Sequence, residues 1–152
     1  MAASENQQAW LNGQTEYEGM PLYLRRPQFI NLEEIEQRFP KLIVAIHQLS
    51  AVTSNGSPES EYNKSLAAFD SELVRYFDAS RSGTIVLVET FCGRRSYYFY
   101  AAKDANLENM RQHFHLHYPD NSIEWAEKSD PGATFIKQYT AQFGPPKTSG
   151  NK

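Results

Sequence analysis

Leu42-Ile43-Val44-Ala45-Ile46 is a continuous apolar run rich in β-branched residues. Its length fits a strand buried on both faces. The hydrophobic spacing changes period repeatedly around it. Upstream, Tyr17 to Arg25 reads as a strand with an early Gly turn, and Pro21, which lacks a ladder donor, makes it an edge strand or a strand start. Asn31 suits the N-cap of a short helix carrying Leu32, Ile35 and Phe39, stopped by Pro40.

Downstream, Asn55-Gly56-Ser57-Pro58 reads as a turn and a helix start, with Ser57 as cap and Pro58 at the first helical position. Tyr62, Leu66, Phe69, Leu73 and Tyr76 recur every three or four residues and predict an amphipathic helix. Thr84 to Phe91 and Ser96 to Ala101 flank a tight Cys92-Gly93 turn and predict a β-hairpin. Asp104 is the expected cap of a helix with Leu107, Met110 and Phe114 on its buried stripe. A last strand is expected over Ser122 to Ala126, then a short helix with Phe135, Tyr139 and Phe143.

From Leu42 the order is strand, helix, strand, strand, helix, strand. That is the split βαβ order of a ferredoxin-like α+β fold: an antiparallel sheet with helices on one face. An extra N-terminal edge strand and a short C-terminal helix would complete it. The expected organisation is a flexible segment over 1–14, a single domain over 15–143 and a disordered tail over 144–152. A chain of 152 residues suits one core rather than two. No basic and apolar leader opens it, and no apolar run reaches the roughly 18 residues of a membrane span. The expected setting is cytoplasmic, with no membrane partner. One cysteine, Cys92, leaves no internal disulfide to form.

Several short patterns resemble a bacterial family, the domain of unknown function 695 family. They are Tyr17-x-Gly19-x-Pro21-Leu22-x-x-Arg25, Pro40 before the Leu42 strand, Gly56-x-Pro58, Leu66 with Glu72-Leu73, and Gly93-x-Arg95-x-x-x-Phe99-Tyr100. Asp130-Pro131-x-x-x-Phe135-x-x-x-Tyr139 resembles the family's aspartate–aromatic–tyrosine ending, with Phe135 where the pattern has Trp. The architecture is similar to that of the regulator of ribonuclease activity B family, small acidic proteins that bind a nuclease. The resemblance implies a fold and a bias toward binding, and supplies no catalytic residue.

Four constellations could carry chemistry. His113-x-His115-x-His117 puts His113 and His117 on one helix face at a spacing metal sites use, without the rest of a ligand set. A helix end complementing its dipole accounts for these histidines equally well. Cys92 lies beside Arg94 and Arg95, which can lower a thiol pKa, but no base is marked for it. Glu33, Glu34, Glu36, Glu59 and Glu61 sit near expected helix starts and read as solvated or dipole-complementing groups. Arg94, Arg95, Tyr97, Tyr98 and Tyr100 interleave cations and aromatics along the hairpin. An RNA-recognition module stacks bases on such a strand, but needs a second aromatic on the Leu42–Ile46 strand, where there is none.

The formal net charge of −3 works against binding nucleic acid through bulk attraction to phosphate. The leading expectation is a non-catalytic module that binds or regulates another protein. Its contacts would be Arg94, Arg95, Tyr97, Tyr98 and Tyr100, residue types that carry interface energy. An acidic inhibitor or immunity-type protein facing a nuclease or toxin fits that class. No cofactor is expected. The alternatives are an RNA-contacting regulator using the aromatic strand 95–101 and a small enzyme with an unmarked site.

Overall fold

The apolar run at Leu42 forms the strand Lys41–Gln48, second from one edge of the sheet and paired on both sides. A computed structural model describes residues 9–143. The first eight residues and the tail 144–152 expected to be disordered lie outside the described residues. Six strands form one antiparallel sheet: β1 (Trp10–Tyr17), β2 (Met20–Pro27), β3 (Lys41–Gln48), β4 (Gly83–Phe91), β5 (Arg94–Ala101) and β6 (Ser122–Ser129). Their order is β1-β2-β4-β5-β3-β6. Five helices accompany them among the described residues: α1 (Leu32–Arg38), α2 (Ser60–Ser65), α3 (Ala67–Val74), α4 (Leu107–His117) and α5 (Thr134–Phe143). None of these helices is long and apolar enough to cross a membrane.

Helices cover both faces of the sheet, not one. Ile43, Ala45, Tyr97, Phe99 and Ala101 pack with Phe69 and Leu73 of α3, and with Met110 and Phe114 of α4. On the other face Leu22, Leu24, Leu42, Val86 and Tyr100 pack with Ile35 of α1 and Ile136 of α5. The reason lies in β3 and β5, whose successive residues are apolar on both faces, so each face needs a covering layer. The N-terminal addition also differs from expectation. It is a β1–β2 hairpin rather than one strand, and β1 begins at Trp10, inside the stretch read as flexible. Glu18 and Gly19 turn it with positive φ.

Local capping follows the sequence in one helix and departs from it in two. Asn31 Oδ1 accepts the Glu34 amide at 3.0 Å, as an N-cap should. Asn106, not Asp104, caps α4, accepting the Asn109 amide at 3.1 Å. Ser57 and Pro58 do not start α2. They belong to a loop in which Val52 pairs with Pro58 and the Thr53 amide donates to the Ser57 carbonyl. The helix begins after Glu59 and is interrupted at Leu66. Cys92 and Gly93 both take positive φ, as a two-residue type I′ hairpin turn requires.

Candidate functional site

The five residues singled out on the hairpin do not form one surface. Tyr97 and Tyr100 are fully buried, on opposite faces of the sheet. The Tyr97 hydroxyl donates to Asp70 Oδ1 at 2.7 Å, and the Tyr100 hydroxyl to Asp130 Oδ2 at 2.6 Å. The Tyr98 ring stacks on Phe135 of α5, with centroids 4.6 Å apart. Burial pushes the Tyr98 phenol up to about 12, and pushes Tyr97 well above its ordinary value, with the Asp70 charge adding to it. The expected exposed aromatic face is therefore closed, because α1 and α5 cover the side that alternation alone would leave wet. Arg94 is exposed and Arg95 half-buried.

Arg95 points instead into a cleft of mixed lining that carries charged groups. It is lined by β1, β2, β4 and β5 of the sheet and by α2 and α3. The cleft encloses about 330 Å³. Arg25 on β2 makes a two-pronged pair with Asp70 on α3, Nη1 to Oδ2 at 3.1 Å and Nη2 to Oδ1 at 2.8 Å. The Arg25 guanidinium also lies 5.1 Å from the centre of the Trp10 ring. Asp70 thus accepts from Arg25 twice and from Tyr97 once. Arg95 donates from Nε to Thr90 Oγ1 at 2.9 Å and from Nη2 to Asn63 Oδ1 at 3.0 Å. Among the described residues no carboxylate pairs with it. The charged groups lining the cleft are Arg25, Arg95 and Asp70, a surplus of one positive charge in an acidic protein.

His47 lies behind Arg95, opposite it in the β3–β5 register, fully buried and 4.9 Å from the Phe69 ring centre. Its Nδ1 has no hydrogen-bond partner among the described residues. Burial, with the Arg95 charge, pushes the imidazole down to about 4 against a smaller opposing pull from Asp70. His47 is therefore neutral in the folded protein at neutral pH. Between the ordinary pKa of 6.5 and about 4 the unfolded chain takes up a proton that the folded one refuses. The His47 contribution to stability should fall across that window as pH drops, and level off below it. The expected loss at His47 is on the order of 2 kcal/mol after allowing for solvent screening. Urea unfolding at several pH values checks this, and His47→Gln should flatten the slope. An unchanged slope in that variant would exclude His47 as its source.

The other candidates are placed differently. His113 and His117 do come together, with ring centres 4.5 Å apart, but His113 Nε2 meets Glu72 Oε2 at 2.6 Å. The Tyr118 hydroxyl donates to the other Glu72 oxygen at 2.8 Å. The His113 bond, then the Tyr118 bond, holds the Glu72 carboxyl below its ordinary value. No group of three His, Cys, Asp or Glu side chains arranged to hold a metal occurs among the described residues. Cys92 is exposed in the hairpin turn. Glu34 pairs with Arg38 at 2.6 Å and Glu61 with Lys64 at 3.4 Å, both on helix surfaces.

Asp70, Asn63, Thr90 and His47 escaped the sequence reading, and Arg25 stood in it only as part of a resemblance pattern. Asp70 had a visible signal. It lies four residues after Leu66 and three before Leu73, so a carboxylate occupies the apolar stripe of its helix. A buried-side carboxylate calls for a cationic or hydroxyl partner.

Within the resemblance patterns, Arg25 and Arg95 stand in different segments, and the fold brings both to this cleft. Asp130 caps α5, accepting the Thr134 and Phe135 amides, and the Tyr139 hydroxyl donates to Glu89 Oε2 at 2.8 Å. The fold is thus a mixed α+β sheet protein with a charged cleft beside its N-terminal hairpin. The model of the Family of unknown function (DUF695) matches residues 8–139, and the chain belongs to that family. No curated protein and no solved structure matches the chain.

Proposed function

We propose that the protein is a non-catalytic module that binds and regulates another protein through the cleft between the β1–β2 hairpin and α2–α3. The observation that carries this reading is Arg95, oriented by Thr90 and Asn63 yet without a carboxylate partner among the described residues. Beside it, two groups that could move protons, Asp70 and Tyr97, are tied down. Asp70 is saturated by Arg25 and Tyr97, and the Tyr97 hydroxyl is buried. Such a site is built for holding rather than for turnover.

The order β4-β5-β3-β6, with α3 and α4 packed on one face, supports a split βαβ core of the ferredoxin-like kind. The net charge would attract a basic partner such as a nuclease or toxin, the class to which the architectural resemblance points, while the cleft itself would hold an acidic group of that partner. A cytoplasmic setting is in keeping with the free Cys92. Stacking of RNA bases on β5 finds little support, since Tyr97 and Tyr100 are buried and Tyr98 lies against Phe135.

Affinity capture from native cell extract, read by mass spectrometry, tests the proposal. A specific protein should be retained by the wild type and by Arg94→Ala. Capture by Arg95→Ala should fall roughly tenfold, the loss expected for one central arginine contact. Circular dichroism checks that the variant is folded. Equal capture by Arg95→Ala, or no specific protein at all, would overturn the reading.

A further inference from the structure

The geometry points to a carboxylate as the group this cleft receives, seated on the free edge of the Arg95 guanidinium. The inference rests on the binding reading above and names its chemistry.

Charge comes first. Arg25 and Asp70 cancel one another, each hydrogen-bonded to the other twice. Arg95 is then the surplus cation among the lining residues. A carboxylate carries one negative charge at neutral pH and would balance it. A phosphate monoester carries about 1.5 to 2, and would leave uncompensated anionic charge next to Asp70.

Shape comes second. An arginine has five N–H donors in a fixed plane. Thr90 and Asn63 take one each, on Nε and Nη2, which fixes the plane of the Arg95 fork. The remaining donors, both on Nη1 and one on Nη2, lie at the end of the fork. Two of them can meet the two oxygens of a planar carboxylate. Asp70 does not compete for this place. Its oxygens already accept from Arg25 and Tyr97, and Arg25 is held in turn by Trp10.

Surroundings come third. The ionisable groups around Arg95 are Tyr23, Arg25 and Asp70 in the cleft lining, with His47 on β3 and Tyr97 on its own strand behind them. His47 and Tyr97 are neutral at pH 7, so neither repels an incoming anion nor supplies a rival one. The Asn12 and Asn63 side chains at the rim offer further polar contacts. A volume of about 330 Å³ admits an acidic side chain or a small acid, at the lower end of ligand-pocket sizes.

The test uses the full chain labelled with ¹⁵N, followed by NMR through the Arg95 Nε–Hε signal and the Thr90 and Asn63 amides. The probes are N-acetyl-glutamate N-methylamide, its glutamine counterpart, succinate and inorganic phosphate. The expected result is a saturable shift of the Arg95 signal with the glutamate compound in the millimolar range. Its affinity should exceed that of the glutamine compound by about tenfold or more, the worth of one charge-assisted fork. Arg95→Gln should abolish the response, and Arg94→Gln should leave it unchanged. Succinate binding tenfold or more tighter than the glutamate compound would support the carboxylate and assign it to a free acid. Tighter binding of phosphate, an equal response to the glutamine compound, or no response to any probe would overturn the inference. If capture of a partner is still lost in Arg95→Ala while every probe is inert, the binding module stands and the carboxylate falls. If the probes bind but no protein is captured, the carboxylate site stands and the protein partner falls.

Discussion

Asp130→Ala should lower the unfolding free energy by about 3 kcal/mol and loosen α5 from the sheet. Asp130 is 7% exposed and its carboxylate accepts three hydrogen bonds. Oδ1 takes the Thr134 amide and Oδ2 takes the Phe135 amide, both at 3.0 Å. These satisfy two of the otherwise unpaired donors at the start of α5. Oδ2 also takes the Tyr100 hydroxyl, a fully buried group. Removing a cap costs about 1 kcal/mol, and leaving a buried donor unpaired about 1 to 3 kcal/mol.

Tyr100→Phe removes the donor together with its demand for a partner, but leaves unpaired the Ile136 amide that the hydroxyl accepts at 3.3 Å, so it should cost less than Asp130→Ala, about 1 to 2 kcal/mol. Desolvation pushes the Asp130 carboxyl up, but the bonds from Tyr100 and the two amides outweigh it and hold it below its ordinary 3.8. Its contribution is therefore present above about pH 4 and fades as pH falls through the lower folded value. Urea unfolding followed by tryptophan fluorescence and circular dichroism measures each loss. A cost for Asp130→Ala below about 1 kcal/mol would mean that α5 docks without its cap.

Gly56→Ala should cost about 2 to 4 kcal/mol, and Gly93→Ala only about 1 kcal/mol. Both glycines have nearly the same positive φ, 85° and 83°. Their surroundings differ. A Cβ on Gly56 would lie 2.6 Å from the Cys92 Cα and 3.1 Å from its nitrogen, backbone atoms that no rotamer change can move. A Cβ on Gly93 meets nothing within 4 Å. Gly56 sits where the loop after β3 is strapped across the β4–β5 turn. The Gly93 amide donates to the Gly56 carbonyl at 2.8 Å, and the Leu49 amide to the Gly93 carbonyl at 2.9 Å. A methyl group at Gly56 pushes the loop off the turn and costs these bonds as well as the strained φ. The comparison isolates contact from conformation, and equal losses in the two variants would refute the contact account.

Much of the scaffold was legible because it depends on neighbours in the chain. The apolar run in β3, the Cys92-Gly93 turn, the Asn31 cap and the stripe of α4 are all local patterns. The cap of α4 was misplaced from Asn106 to Asp104, since both residue types accept amides and only the helix geometry chooses between them. The cleft was not legible. Arg25, Asp70 and Arg95 come from separate segments, and β4 lies between the strands that carry the two arginines. Sheet order therefore decides that they meet.

The same distinction governs the aromatic strand. Alternation along β5 by itself determined that Tyr97 and Phe99 share one face, and Tyr98 and Tyr100 the other. It could not say that both faces are covered, because α1 and α5 come from distant parts of the chain. Tyrosine is at home in a core or on a surface, so residue type did not decide it either. Local sequence determined the strands, turns and helix stripes, whose causes lie within a few residues. Tertiary structure alone decided that Tyr97 and Tyr100 are core and that Arg95 points into a charged cleft, because burial and charge balance depend on which distant groups are packed nearby.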